Sequence, residues 1–321
     1  MTSVTVLTLA DRAPWDAAHA EAGLPSQSWA YARGLAETGI DPRLAVVEAG
    51  GARLLLPFFE RPIPGHDRTD IATLPGLSGA GVTPDSLAPF AAWSDYARDR
   101  GWVSGYIQLA VANHGLQALD PAHIRAHNVM FRFDLERWAF DTSVRKKRRW
   151  TIRAGDRMGA VLVTGTARLG QTFLDLHYPA MTRLGAASVF PPGCFAHWFQ
   201  DPAVQLLGAE IDGRIEAVQL VRTHGIQAEI PLVATSEPGR ELTNWLFWQA
   251  TEHLRPQGVR YLNIGGYKTE NDGIHRSKRR FNADEFPLLS LRQVYDQGAF
   301  DALCAAAGDR LAPGRFPPYR V

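Results

Sequence analysis

The sequence predicts a mixed α/β (α+β) fold built as two tandem units, on three observations. Short segments of alternating apolar character recur between longer segments whose apolar residues follow helical spacing. Two pairs of alternating segments are joined by turns that favour hairpins, Ala49-Gly50-Gly51-Ala52 and Asp212-Gly213. The element order of the first half then returns in the second, without a repeat visible in the letters themselves. At 321 residues the chain has room for about two domains of 100–200 residues.

Taken in order, Ser3 to Leu9 alternates β-branched residues as a strand does, and Trp15 to Ala22 follows as a helix. Ser28 to Thr38 reads as a second helix closed by Gly39. Arg43 to Glu48 and Arg53 to Phe59 form the first hairpin, Asp70 to Leu74 a strand, and Pro84 to Arg100 a helix with one apolar face. Tyr106 to Val111 and Val129 to Leu135 complete the first half as strands. The second half gives helix Ser143 to Met158, strand Ala160 to Thr164, helix Ala167 to Leu184 and the hairpin Val204 to Ile211 with Ile215 to Thr223. Strand Gln227 to Ala234, helix Glu241 to Leu254 and strand Val259 to Ile264 follow. The expected domains are 1–141 and 142–300, with 301–321 packing on them as a tail whose prolines, Pro313, Pro317 and Pro318, keep its end extended.

Composition removes several classes of function. The 34 Lys and Arg nearly cancel the 33 Asp and Glu, for a formal charge of +1, so attraction to a polyanion must come from local clusters. Two cysteines, Cys194 and Cys304, are too few for a disulfide framework in a chain of this size. The first residues, MTSVTVLTLADRAP, lack a basic and then long apolar leader. The most apolar stretch, Leu54 to Phe59, is far shorter than the about 20 residues that cross a bilayer. No transmembrane segment and a cytoplasmic location are the expectations.

Two clusters carry the positive charge. Arg145, Arg149, Arg153 and Arg157 recur every fourth residue, which on one helix makes a cationic stripe, with Lys146, Lys147 and Arg148 beside it. Like charges at this spacing repel, so either a polyanionic ligand or solvent and a few carboxylates must compensate. The second cluster, His275-Arg276-Ser277-Lys278-Arg279-Arg280, follows Gly265-Gly266 and Asp272-Gly273. Glycines let backbone N–H groups approach an oxyanion, and Lys and Arg add charge-assisted hydrogen bonds. The alternative is a surface loop whose arginines pair with Asp284 and Glu285.

The segment LTNWLFWQATEHLRPQGVRYLNIGG (242–266), with Asp272-Gly273-Ile274 and Ser277-Lys278-Arg279-Arg280-Phe281 after it, resembles the closing signature of the FemAB-like (BioF2-like) transferases of the GNAT superfamily. There an apolar helix leads to a D-x-G-G-like strand end and then to F-K-x-x-F-G. RKKRRWTIRAGDRMG resembles the family's basic helix, and PSQSWAYARG its early helix, so the likeness runs from about Ser26 to Leu288. Three positions depart from the pattern: Ser277 replaces the first Phe, Asn282 the Gly, and Asn263 the usual Asp before Gly265-Gly266. No long inserted coiled-coil arm is present, unlike the cell-wall members of the family.

The resemblance implies two tandem GNAT-like domains and amide-bond formation between an acyl or aminoacyl donor and an amine. It marks Lys278 as the signature lysine, at the oxyanion of the tetrahedral intermediate or on the terminal phosphate of a tRNA. His275 and Asp272 are the nearby candidates to relieve the amine of its proton. Arg145, Lys146, Arg149, Arg153, Arg279 and Arg280 are the candidates for the donor's phosphates, and the Arg stripe and Lys278 are expected to face one pocket. Tyr178, Arg183 and Tyr267 are candidate substrate contacts, and so is Ser78 in Gly76-Leu77-Ser78-Gly79-Ala80-Gly81.

Coenzyme A users of the superfamily carry Q/R-x-x-G-x-G/A between a strand and a helix, and between the second hairpin and Val259 no such run exists. This and the basic clusters favour aminoacyl-tRNA as co-substrate, with acyl-CoA as the alternative, a non-catalytic tRNA-binding module as a third reading, and no resident cofactor. The acceptor is an amine-bearing small molecule, peptide or cell-wall precursor. Gly76 to Ala80 fails G-x-S-x-G at Ala80, which removes a serine hydrolase. His123 and His127 lack the Glu of H-E-x-x-H, and Cys194 with His197 lacks a second ligand pair, so no metal is expected.

Overall fold

The computed structural model describes residues 2–183, 185, 190–267, 270, 272–312 and 314–320; Leu184 of an expected helix and Pro313 and Val321 of the tail lie outside the described residues. The strands are β1 (Ser3–Leu7), β2 (Arg43–Ala49), β3 (Ala52–Pro62), β4 (Thr69–Thr73), β5 (Gly81–Thr83), β6 (Ser104–Gln108), β7 (Ile124–Asp134), β8 (Val161–Thr164), β9 (Val204–Ile211), β10 (Arg214–His224), β11 (Gln227–Thr235), β12 (Tyr261–Asn263) and β13 (Asp284–Val294). Contacts divide the chain into Met1–Asn128 with Pro287–Val321, and Val129–Phe286.

Each unit repeats one strand order. In the first it is β1-β2-β3-β4-β6-β13, and in the second β8-β9-β10-β11-β12-β7. In both, a helix (Ala88–Asp99 or Thr243–Leu254) links the one parallel pair, β4 with β6 and β11 with β12. A parallel pair needs such a crossover, whereas the antiparallel strands beside it need only turns. The sixth strands, β7 and β13, are the two that span the junctions between the contact-defined units. These junctions fall at 128/129 and 286/287, not at the expected 141/142 and 300/301.

The turns form for the reasons the sequence offers. Gly50 and Gly51 have φ of 59° and 75°, and Asp212 and Gly213 have 49° and 77°, the left-handed pair that a two-residue hairpin requires. Ser28 caps the helix Trp29–Leu35 by accepting from the Tyr31 N–H at 3.1 Å, and Gly39 closes the following turn at φ 84°. The first unit centres on Leu54, Leu56, Phe58, Trp93, Trp102 and Leu291, the second on Phe131, Phe133, Leu207, Phe247, Leu262 and Phe281.

Three expectations are corrected. The basic stretch is not one helix: it breaks into Phe140–Ser143, Lys146–Ile152 and Ala154–Arg157, with Arg153 at φ −73°, ψ 18°. Gly155 sits against the Trp245 indole, where a Cβ would come within 2.5 Å of the ring, and Trp245 Nε1 donates to Asp156 at 2.7 Å. This tertiary contact fixes the break where like-charge repulsion has already weakened the helix. The segment around Lys278 is not a loop but the helix Gly273–Lys278. Pro192–Trp198, β13 and Gln297–Ala307 were not anticipated. β13 carries Pro287, which argues against a strand in sequence.

Candidate functional site

The site is built where β12 ends. β12 pairs in parallel with β11 only over Gln227 to Glu229, while β11 continues with β10 to Thr235. Beyond Asn263 the chain therefore leaves β11 but stays with β7, through Ile264 N–H to Phe131 O (2.9 Å) and Phe131 N–H to Gly265 O (3.1 Å). Asn263 Oδ1 accepts from Gly265 N–H at 2.8 Å, and Gly265 turns at φ 74°. An Asp at this position would accept the same bond, so the departure from the family pattern keeps the turn.

Asp272 then caps Gly273–Lys278 by accepting from His275 N–H at 2.7 Å. One and a half helical turns later Lys278 is only 8% exposed. Its ammonium donates to the carbonyl oxygens of Ile264 and of Gly266, the latter at 2.7 Å. Burial pulls the Lys278 ammonium down to about 8, with the Asp272 carboxylate acting in the opposite sense. Among the described residues two of its three N–H donors are used, both on the strand end.

The residues around it lock this geometry. Ser277 Oγ donates to Asn244 Oδ1 at 2.6 Å, so the hydroxyl that replaces the signature Phe is tied to the helix Thr243–Leu254. Phe281 is fully buried, edge-on to Phe133 and Phe247, and its carbonyl accepts from Trp138 Nε1 at 2.9 Å. Asn282 turns the chain into β13 at φ 53°, ψ 39°. Asn tolerates this conformation better than other non-glycine residues. Asn282→Ala is expected to cost about 1 kcal/mol in chemical denaturation and Asn282→Gly much less; an alanine variant as stable as the parent would contradict that reading.

His275 is buried, its ring stacked on Tyr267 at 4.3 Å between centroids and 5.8 Å from Phe131. Asp272, His275 and Lys278 thus share one short helix and its cap, and Tyr267 stacks on His275. The Arg stripe is satisfied elsewhere: Arg149 and Arg153 both bond Asp141, at 3.2 and 3.0 Å, and Arg153 also lies over the Phe140 and Trp248 rings. Sequence reading missed Asp141 as their counter-ion because it lies outside the helix period. Arg145 and Lys146 are exposed with Lys147 and Arg148. Arg279 pairs with Glu285 at 3.0 Å, and Arg280 is half-buried.

The remaining candidates do not join this site. Ser78 is buried in the first unit, accepting from Ser26 N–H at 2.9 Å. The glycine run around it packs on the end of β6, since a Cβ on Gly79 would meet Gln108 O at 2.7 Å. Tyr178 donates to Phe190 O at 3.0 Å, and burial pushes its phenol up. Arg183 is exposed at the end of Thr166–Arg183. Sequence reading also missed Trp150, which is 67% exposed with the Arg157 guanidinium stacked on it at 3.9 Å.

No protein-family model matches the sequence, and no curated protein matches it. Solved structures share the fold. FemX superposes with a TM-score of 0.68 at 11% identity, over 94% of this chain and 99% of that one. L-PGS from Bacillus licheniformis gives 0.59 at 13%, over 92% and 96%. The C-terminal domain of a putative lysylphosphatidylglycerol synthetase from Agrobacterium fabrum gives 0.53 at 16%, over 85% and 89%. The chain therefore has the fold of FemX and of L-PGS, arranged here as two units of one strand order.

Proposed function

We propose that the protein is an aminoacyltransferase that moves an aminoacyl group from charged tRNA to an amine. The observation that carries this is the Lys278 ammonium, held by two backbone carbonyls at a strand end, with its third N–H unbonded among the described residues. In aminoacyl transfer the amine nitrogen bonds to the ester carbon, the C–O bond to the ribose breaks, and the amine proton ends on the departing ribose oxygen. Negative charge gathers on the carbonyl oxygen between these events, and a fixed cation in a poorly solvated place stabilises it strongly. Asp272 is occupied in capping its helix, so the departing oxygen is the sufficient proton acceptor in this reading.

Support for an RNA donor comes from Lys146, Lys147 and Arg148 exposed beside Trp150, because cationic side chains track a phosphate backbone and an exposed indole stacks on an unpaired base. The fold neighbour named for lysylphosphatidylglycerol is itself named for an aminoacylated product. The test is incubation of the purified protein with charged tRNA and a panel of amines. Product whose formation stops after RNase treatment is expected. Product made only when an acyl-CoA is added would establish the CoA-dependent alternative, and salt-sensitive tRNA binding without turnover would establish a binding module.

A further inference from the structure

Strand register sets four polar side chains in one row on the second unit's sheet. Arg132 on β7 is opposite Asn263 on β12, Asn263 opposite Glu229 on β11, and Glu229 opposite Arg222 on β10. Their neighbours Phe131, Phe133, Leu262, Ile264, Ala228, Ile230 and Val221 all belong to one apolar core. Since side chains alternate along strands, the four polar residues share the opposite face. Arg222 and Glu229 are paired with each other at 3.8 Å.

Among the described residues Arg132 has no ion pair, whereas Arg222 pairs with Glu229 and Arg260 with Asp134 and Glu136. Its guanidinium lies between the Tyr261 and Phe286 rings, 4.5 and 4.2 Å from their centroids, and its Nε is buried without a hydrogen-bond partner. Aromatic faces attract the cation but accept from none of its five N–H donors in line. Burial holds the guanidinium below its ordinary pKa, against the opposing pull of Tyr261 and of the Asp284 and Asp134 carboxylates. It lines a pocket of about 190 Å³ with Asp134, Arg137, Ser143 and Asp284. There Asp134 is taken by Arg137 and Arg260, at 3.0 and 3.4 Å, and Asp284 by Arg137 at 3.5 Å.

We infer that Arg132 binds a carboxylate of the ligand, and, resting on the transferase reading above, that the amine acceptor is an amino acid or peptide with a free carboxylate. The ring clamp fixes the guanidinium plane, and a planar carboxylate matches its forked donors. Asn263 Oδ1 is already used by Gly265 N–H, so its amide N–H groups are the donors it brings to the same row. The site also borders the proposed reaction centre through one backbone bond. Phe131, next to Arg132, accepts from Ile264, whose carbonyl holds Lys278.

The test reads binding alone, so it stands or falls separately from any transfer assay. The full chain labelled with 15N is titrated with acetate, acetamide and methyl phosphate while the Arg132 Nε–Hε and Asn263 amide resonances are followed. Acetate is expected to shift both saturably, and acetamide to shift neither. R132K is expected to bind acetate about tenfold more weakly, read at Asn263. Equal shifts with acetamide, no saturation with acetate, or full affinity in R132K would overturn the inference. Methyl phosphate binding about tenfold tighter than acetate would replace the carboxylate by a phosphate and overturn the stated acceptor class. The acetate and acetamide arms need only the parent protein, so they decide the matter even if R132K fails to fold.

Discussion

Lys278→Met is expected to lower kcat by about 10²–10³ while donor binding changes little. In the proposed role the ammonium acts where charge develops, not where the donor is held, so its loss belongs in the chemical step. Methionine keeps the stem packed against the strand end and removes the cation, which separates chemistry from collapse of the site. The pH dependence gives an independent check. Because burial sets the ammonium at about 8, the rate of the parent enzyme should fall as pH rises through about 8. The stability effect has the opposite sense. The folded chain releases this proton at about 8, whereas the unfolded chain holds it to its ordinary value near 10.5. Between these values the unfolded state binds more protons, and stability rises with pH. Lys278→Met should flatten both trends. A variant with near-parental kcat at every pH would end the oxyanion role.

Phe281→Ala is expected to destabilise the protein by about 3–5 kcal/mol in equilibrium denaturation. Its ring is fully buried, at 88° to Phe133 and 83° to Phe247. Truncation leaves a cavity among rings whose positions are set by different strands and helices, so little of the space can close. Phe281→Leu keeps most of the volume and should cost less than half as much. If alanine costs under about 1 kcal/mol, Phe281 is not the anchor of the Lys278 segment. The residue lies in the short turn Arg279–Phe281 directly after the helix that ends at Lys278. Activity in the leucine variant therefore reports how tightly the lysine's position depends on this core.

The parts of the site that were legible in the sequence are those decided by a residue and its near neighbours. Asp272, by contrast, reads in sequence as a candidate proton acceptor, and the structure uses it to cap the helix Gly273–Lys278. Asn282 reads as tolerant of the left-handed region and lies in it. Lys278 and Phe281 stand out by their resemblance to the FemAB-like signature, and both are buried. The basic helix shows the limit of this method, because its fourfold spacing is real in sequence and is broken in three dimensions by Gly155 against Trp245. Periodicity describes what an isolated helix would do, and a contact across about 90 residues overrode it.

By itself the sequence determined the mixed α/β class, the hairpin turns and the early helix closed by Gly39. All of these follow from the φ/ψ preferences and periodic burial of residues close together in the chain. Only the tertiary structure decided which strand completes each unit, what the arginines pair with, and that Arg132 is clamped by Tyr261 and Phe286. These depend on which distant segments share a face, and on how far burial removes water from a charge. Neither quantity is carried by the spacing of residues along one strand or helix.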